Sequence, residues 1–133
     1  MKELLQQAKE ATKYCYIPYS KFHVGCALLF KDGSVVTGVN IENAAYTVTN
    51  CAERSALFSA ISQGKNTKEI VAVAVVTDGH KLGSPCGVCR QAMSELLLPN
   101  TPVYLGLLDQ PTTQTTSVAE LLPYAFSPEH LNG

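Results

Sequence analysis

Residues 70–97 have the sequence IVAVAVVTDGHKLGSPCGVCRQAMSELL. The segment begins with an uninterrupted apolar run at 70–76 that is rich in β-branched side chains, which is typical of a strand covered on both faces. It continues with Ser84-Pro85, a preferred helix N-cap followed by the residue favoured at the first helical position, and this pair predicts a helix that ends near Leu97. A buried strand joined to a helix favours an α/β fold.

The rest of the chain carries similar patterns on both sides of this segment. Apolar residues at helical spacing predict helices, and apolar or β-branched runs predict strands. Asn50 is a good helix N-cap, and Asp32-Gly33 favours a two-residue hairpin turn. These further elements are helices at 2–14, 50–64 and 119–122 and strands at 24–30, 34–39, 103–107 and 115–118. Their order predicts a single domain, 1–133, built as a three-layer α-β-α sandwich with a mixed five-stranded sheet.

Composition and charge exclude several classes of protein. Of the 133 residues, 46% are hydrophobic and 16% charged, which is too little charge for a disordered chain. The formal net charge is -1, without the basic patch that a nucleic-acid binder needs. The longest apolar run is far shorter than the roughly 20 residues that cross a bilayer, and the N-terminus lacks a signal-peptide pattern. We therefore expect a cytoplasmic protein that binds a free small molecule, and neither nucleic acid nor a membrane.

Five cysteines make metal binding or thiol chemistry the leading question. An odd number cannot pair completely within one chain, and disulfides are uncommon in a reducing cytosol. Cys15 and Cys26 stand alone among apolar neighbours, as expected of small buried side chains. Cys51, Cys86 and Cys89 instead fall at the starts of two predicted helices, and these three are the candidate metal ligands.

The position of these three cysteines favours zinc. A helix N-terminus stabilises a thiolate, because its free N–H groups and partial positive charge lower the thiol pKa. Cys86 and Cys89 are three positions apart, so both sulfurs lie on one helical face and can hold one ion. Three protein ligands leave one tetrahedral position of zinc open to water, as in catalytic sites. The sequence therefore predicts a catalytic zinc ion bound by Cys51, Cys86 and Cys89.

Glu53 and Arg54 follow the first of these cysteines directly. A carboxylate on the same helical turn as a ligand can act as general base and then general acid, so Glu53 is the candidate catalytic residue. The alternative is a capping box in which Glu53 pairs with Asn50. Arg54 could be an ordinary surface residue, or its guanidinium could donate to the thiolates and offset their negative charge.

Two non-enzymatic interpretations of the cysteines remain open at this point. A Cys-x-x-Cys pair that opens a helix after a strand also suits a redox protein, although this leaves the Cys51-x-Glu53 motif unexplained. A closed structural zinc site in an interaction module needs a fourth ligand, for which His80 is the nearest candidate.

The motifs together resemble a known family. Zinc deaminases carry His or Cys followed by x-Glu, and later Pro-Cys-x-x-Cys, and Cys51-x-Glu53 with Pro85-Cys86-x-x-Cys89 matches the three-cysteine version. Beyond this signature, the chain resembles the small homotetrameric cytidine deaminases over nearly its full length. The matching segments are PYSKF at 18–22, GVNIENAAY at 38–46, SPCGVCRQ at 84–91, and ELLP at 120–123 with Phe126.

The resemblance implies roles for further residues. Asn40 and Glu42 would hold the ribose hydroxyls, a task that suits an amide and a carboxylate. The segment that holds them reaches to Tyr46 and would line the nucleoside pocket. Phe22 would pack on the pyrimidine ring, and Phe126 would reach into the pocket of a neighbouring subunit. The weaker candidates for polar contacts to the base or to the surrounding shell are the backbone at Ala52 and the side chain of Gln91.

The resemblance also implies an activity. It implies hydrolysis of cytidine and 2′-deoxycytidine to the uridines and ammonia in pyrimidine salvage, with one Zn²⁺ per subunit and Glu53 as the proton carrier. It further implies a homotetramer whose active sites are completed by neighbouring subunits. The alternative reaction within the same superfamily is that of a blasticidin-type aminonucleoside deaminase.

Overall fold

The central strand of the sheet is β3 (Ile70–Thr77). The structure, a computed structural model, describes residues 1–131; the last two residues of the predicted domain, 132–133, lie outside the described residues. The other strands are β1 (Val24–Phe30), β2 (Val35–Val39), β4 (Pro102–Leu107) and β5 (Thr113–Ser117). The helices are α1 (Lys2–Ala11), α2 (Ala52–Ser62), α3 (Gly87–Leu96), α4 (Val118–Leu121) and α5 (Pro128–Leu131), with 3₁₀ turns at Thr12–Tyr14, Tyr46–Val48 and Thr67–Glu69.

The strand order is β2-β1-β3-β4-β5. β3 pairs antiparallel with β1 and parallel with β4, while β2 and β5 add antiparallel edges. The sheet is therefore mixed and five-stranded, which confirms the sequence prediction. No helix within residues 1–131 has both the length and the apolar content that a membrane span requires.

Alternate residues of β3 face opposite helical layers, because successive side chains of a strand point to opposite faces. One face packs on α1 and the other on α2, α3 and α4, so the predicted α-β-α sandwich is confirmed. The core on the α1 side comprises Leu4, Leu5, Ala8, Ala27, Ala72, Ala74 and Val76. The larger core on the other side includes Cys26, Leu28, Ala56, Leu57, Val73, Val75, Met93, Leu97 and Val103.

Two glycines allow helices to touch the sheet directly. A Cβ atom built at Gly38 would lie 2.6 Å from the carbonyl oxygen of Ala52 and 2.8 Å from Cα of Ala56, so α2 rests on the backbone of β2. A Cβ atom at Gly25 would meet the carbonyl oxygen of Ala8 in α1 on the opposite face. Because only a residue without a Cβ atom fits such an approach, these glycines set the distance between the layers.

The predicted N-caps of two helices are wrong by one residue and by two residues. Cys51 and Cys86, rather than Asn50 and Ser84, are the N-cap residues of α2 and α3, and both have extended backbone angles. Asn50 is held outside the helix, because its N–H donates to the carbonyl oxygen of Ile41 (2.9 Å) and its own carbonyl oxygen accepts in return (3.0 Å).

The hairpin turn and the C-terminal region also differ from the prediction. The loop between β1 and β2 is longer than two residues: Gly33 has φ +89°, and the N–H of Phe30 donates to the carbonyl oxygen of Ser34. This pattern is that of a three-residue loop with a glycine in the left-handed region. The short helix α5 was not predicted, since four residues carry too little periodicity to be recognised.

Substitution of Gly38 tests the contact between α2 and the sheet. We expect Gly38→Ala to lower the free energy of unfolding by about 1–3 kcal/mol, because the added methyl group must push the helix backbone away. Urea denaturation measures this loss. Gly87→Ala is the matched control, since a Cβ atom there meets nothing within 4 Å. Equal stability of the two variants would contradict the close approach.

Candidate active site

The N-terminal ends of α2 and α3 meet and bring the three predicted metal ligands together. The sulfur atoms of Cys51, Cys86 and Cys89 all lie within 4.8 Å of one another, and the first two are 3.6 Å apart. Two sulfurs on a tetrahedral zinc ion with bonds of about 2.3 Å would be separated by about 3.8 Å. Three thiol donors at this spacing fit zinc.

The other cysteines and the predicted alternative ligand lie apart from this cluster. Among the described residues, the three cysteines form the single group of donors that could share a metal ion, so His80 is not a fourth ligand. Cys26 is buried in the core, and the Cys15 thiol contacts the carbonyl oxygen of Val24 at 3.5 Å. A closed four-ligand zinc site is therefore not formed by this chain's described residues.

The pKa values of Cys51 and Cys89 are shifted in opposite directions. Hydrogen bonding from the Cys89 thiol lowers the pKa of Cys51 to about 5, and Arg54 and Cys86 act in the same direction. The same hydrogen bond, together with burial, raises the pKa of Cys89. Arg54 Nη2 donates to Cys51 Sγ at 3.4 Å, and this thiolate raises the pKa of the guanidinium. A sulfur with a lowered pKa thus lies beside a guanidinium group at the start of α2.

Glu53 is a buried carboxyl group next to this cluster. It is only 4% exposed, and burial raises its pKa to about 7, with a further contribution from the negative charge of Cys51. The predicted capping box with Asn50 does not form: the backbone N–H of Asn50 is bonded to Ile41, and Asn50 Nδ2 donates to Ser55 Oγ at 3.2 Å. A carboxyl group that titrates near neutral pH can both take and give a proton there.

Asn40 lies at the end of β2, where its side chain holds the start of β1. Asn40 Oδ1 accepts from the N–H of Val24 (3.1 Å), and Nδ2 donates to the carbonyl oxygen of Phe22 (2.8 Å). One amide hydrogen and one lone pair of Asn40 remain for another partner. These contacts to the backbone of the neighbouring segment could not be read from the sequence.

Glu42 binds the backbone of the segment before β1. Oε1 accepts from the N–H groups of Tyr19 and Ser20, both at 3.1 Å, and Oε2 accepts from Ser20 Oγ. These hydrogen bonds, led by the Ser20 hydroxyl, lower the pKa of Glu42. Glu42 and Tyr46 line one cavity of about 320 Å³, together with Tyr19 and Ser20. The cysteines and Glu53 do not line this cavity.

The segment that carries Phe22 is fixed on both sides. Ser20 Oγ accepts from the N–H of Phe22 (3.0 Å), and Lys21 has a positive φ of 60°. After Phe22, the N–H and Nδ1 of His23 lie 2.7 Å and 2.8 Å from Asp78 Oδ2. The phenylalanine ring nevertheless remains 43% exposed, so it is a surface side chain on an ordered backbone.

The remaining predicted residues lie around α2 and α3. Ala52 is fully buried against the sheet, and Gln91 Nε2 donates to the carbonyl oxygen of Phe126 (2.9 Å). The Phe126 ring is exposed and stacks on His130 with a centroid distance of 5.4 Å.

The sequence prediction missed Arg90, which bonds to the segment before Cys86 and to the end of α4. Its place one helical turn after a ligand was the available signal.

Comparison with known proteins assigns the family. Residues 1–105 match the family model described as the cytidine and deoxycytidylate deaminase zinc-binding region. A cytidine deaminase of Halalkalibacterium halodurans is 54% identical over 97% of this chain and 96% of its own length. A crystal structure of cytidine deaminase from Burkholderia pseudomallei superposes with a TM-score of 0.90 at 47% identity, covering 94% of this chain and 98% of that one.

A more distant relative has a different substrate in its name. A blasticidin-S deaminase of Bacillus cereus is 34% identical over 94% of this chain and 91% of its own length. The identity to the two cytidine deaminases named above is higher, and both the matching family model and the superposed crystal structure bear the cytidine deaminase name. This chain therefore belongs to the cytidine deaminase family, whose members are hydrolases.

Proposed function

We propose that this enzyme hydrolyses cytidine and 2′-deoxycytidine to the corresponding uridines and ammonia in pyrimidine salvage. The observation that carries the proposal is the buried Glu53 carboxyl group, whose pKa is raised by burial and by the charge of Cys51, together with the cluster of three thiols at the starts of the same helix and of α3. Deamination at C4 needs an activated water and a group that moves protons, and these residues can provide both. The reaction suits the cytoplasm, where cysteine ligands stay reduced.

Cys51, Cys86 and Cys89 would hold one zinc ion per subunit. Zinc, when bound, supplies the Lewis acidity that makes water a nucleophile near neutral pH. The cysteine set supports zinc over magnesium or calcium, since those ions prefer oxygen ligands. The half-buried Cys51 and exposed Cys86 leave the cluster accessible from outside, as a substrate site must be.

Glu53 would carry protons between the water and the pyrimidine. The carboxylate takes a proton from the attacking water and delivers it to N3 as the oxygen bonds to C4. The proton of the new hydroxyl group on C4 then passes through Glu53 to the amino nitrogen, so that the C4–N bond breaks, ammonia leaves and the C4 carbonyl group forms. A pKa of about 7 places both protonation states of Glu53 within reach at neutral pH.

Arg54 would balance the charge of the ligands. Three thiolates outweigh a divalent cation by one negative charge, which weakens the attraction of the metal for electrons of water. The bond from Arg54 Nη2 to Cys51 Sγ supports a role for Arg54 in withdrawing charge from that sulfur.

The nucleoside would be held by residues of the 18–24 and 40–46 segments. Asn40 and Glu42 each keep hydrogen-bonding capacity for the ribose hydroxyls, and Phe22 offers a ring for the pyrimidine. We assign weaker roles to the Ala52 backbone and to Gln91, which contacts the backbone of Phe126.

A homotetramer with shared active sites would account for the exposed aromatic residues. Tyr46 is 91% exposed and Phe126 is 54% exposed in the single chain, although aromatic side chains are usually covered. Such surfaces favour contact with another subunit. Phe126 would then contribute to the pocket of a neighbour.

The first test is the loss of cytidine absorbance in the ultraviolet. We expect turnover of cytidine and 2′-deoxycytidine, its loss on treatment with a strong chelator, and its return with zinc. Blasticidin S is assayed in parallel, because the relative from Bacillus cereus is named for it. Activity on blasticidin S without activity on cytidine would replace the proposed substrate.

Glu53→Gln is the matched variant for this assay. We expect it to keep zinc and the fold but to turn over cytidine at less than about a hundredth of the wild-type rate, because an amide cannot carry protons. Zinc content and kcat are the measurements. A variant that retains a larger share of the rate would remove Glu53 from the proton-transfer role.

Glu42→Ala tests recognition of the sugar. We expect KM for cytidine to rise roughly 10- to 100-fold through the loss of a charge-assisted hydrogen bond, with a smaller change in kcat. Ser20→Ala is the control, since it removes a contact of Glu42 to the neighbouring segment and leaves the carboxylate in place. The same rise in KM in both variants would mean that Glu42 acts by ordering that segment.

Arg54→Ala tests the charge balance. We expect most of the zinc to remain and kcat to fall by about 10- to 100-fold, as is usual for residues that support metal ligands. Adding Cys51→His removes one thiolate charge and should restore part of the rate. If Arg54→Ala has wild-type kcat, the charge-balancing role is wrong. It is also wrong if the losses of kcat caused by Arg54→Ala and by Cys51→His simply add in the double variant.

A further inference from the structure

Arg90 uses all three nitrogens of its guanidinium group within the protein. Nε donates to the carbonyl oxygen of Pro85 (2.7 Å), Nη2 to Ser84 Oγ (2.7 Å) and Nη1 to the carbonyl oxygen of Leu121 (2.8 Å). Charge-assisted hydrogen bonds of this length are among the stronger ones in proteins. Arg90 therefore joins three parts of the chain: the turn before α3, α3 itself and the end of α4.

The position of Arg90 in α3 is unfavourable for a cation unless specific contacts compensate. Its N–H makes the first-turn hydrogen bond to the carbonyl oxygen of Cys86 (2.9 Å), so it lies near the positive end of the helix dipole. The side chain does not extend into solvent but turns back toward the residues that precede the helix. This arrangement points to a function in holding that segment.

The segment held by Arg90 carries a metal ligand. Between Thr77 and Gly87 the chain has no helix or strand, and Cys86 ends this stretch with an exposed side chain. Within residues 1–131, the hydrogen bonds from Arg90 are the ones that fix Ser84 and the Pro85 carbonyl. That carbonyl belongs to the peptide unit that joins Pro85 to Cys86, so its orientation fixes the peptide plane from which the Cys86 residue extends.

The third bond extends the same unit to the C-terminal region. Leu121 is the last residue of α4, and its carbonyl oxygen has no partner within so short a helix. Arg90 supplies that partner, while the adjacent Gln91 binds the carbonyl oxygen of Phe126. Neighbouring side chains of α3 thus hold both the ligand-bearing turn and the segment from α4 to Phe126.

We infer that Arg90 is a positioning residue of the metal centre, which holds the Ser84-Pro85 turn against the end of α4 so that Cys86 is oriented for the metal in advance. The inference rests on the proposed binding of zinc by Cys86. The Pro85 ring is buried, but loss of the three bonds lets the turn adopt conformations that do not bind the metal. The apparent affinity then falls in proportion to the fraction of molecules that keep the binding conformation. Partners that orient ligands are typically worth 10- to 100-fold in metal affinity.

Zinc affinity measured against a chromogenic chelator, without substrate, tests this role. We expect Arg90→Ala to bind zinc about 10- to 100-fold more weakly and to regain most of its activity in excess zinc. Arg90→Lys should recover little affinity, because one ammonium group cannot replace a planar fork with three bonds. Ser84→Ala removes a single bond and should weaken zinc binding less than Arg90→Ala does.

Lys68→Ala is the matched control at the other end of α3. Lys68 Nζ donates to the carbonyl oxygens of Glu95 (2.7 Å) and Leu97 (3.4 Å), so its loss removes comparable bonds far from the ligands. We expect a lower Tm with unchanged zinc affinity. The inference is overturned if Arg90→Ala binds zinc as tightly as Lys68→Ala does. If Arg90→Ala does not fold, unchanged zinc affinity in both Arg90→Lys and Ser84→Ala overturns it.

The outcome can be separated from that of the proposed function. Wild-type protein that binds zinc but does not deaminate cytidine contradicts the proposed substrate, while the zinc affinities of the variants still decide the role of Arg90. Wild-type protein that binds no zinc contradicts both.

Discussion

Helix α2 can rest on the backbone of β2 because residue 38 has no side chain, and the positions of Cys51 and Glu53 follow from that contact. The helix buries its alanines against the sheet. Glu53, which directly follows Ala52, is buried with them and has almost no exposure to water. Burial in turn raises the pKa of Glu53. A larger residue at position 38 would hold the helix farther out and loosen the packing around this carboxyl group, which moves its pKa toward that of an ordinary glutamate.

Placing cysteine at two helix N-caps weakens the helices locally. Serine, threonine, asparagine or aspartate at this position would accept a hydrogen bond from the first turn, and neither Cys51 nor Cys86 makes such a bond. The free N–H groups of the first turn remain at the helix end that carries the sulfurs, where their partial positive charge favours negative charge. The helix starts therefore contribute to the electrostatics of the site at the expense of their own stability, which is common at functional sites.

The sequence predicted what depends on periodicity and on short spacings. The β-branched run of β3, the amphipathic face of α1 and the Cys86–Cys89 pair agree with the structure, since each is encoded within one strand or helix. Cys51 is 35 positions from Cys86 and was placed in the same cluster because it also begins a predicted helix and completes the deaminase signature. The errors arose where a residue that suits a local role forms a hydrogen bond with a distant residue instead. Asn50 is a suitable N-cap but pairs with Ile41, and Ser84 is another but binds Arg90. The contacts of Asn40 and Glu42 to the 19–24 segment cross 16 to 23 positions, beyond any local pattern.

The hydrogen bonds of Glu42 have a consequence for attempts to redesign the enzyme. Two backbone N–H groups and one hydroxyl converge on this carboxylate, which accepts from all three and donates nothing. Glutamine at the same position would turn one acceptor into a donor, and a shorter aspartate would fall short of the segment. Any substitution of residue 42 therefore also alters the cavity wall that carries Tyr19 and Ser20. A redesign at this position needs a paired change that supplies a new acceptor for the 19–20 backbone.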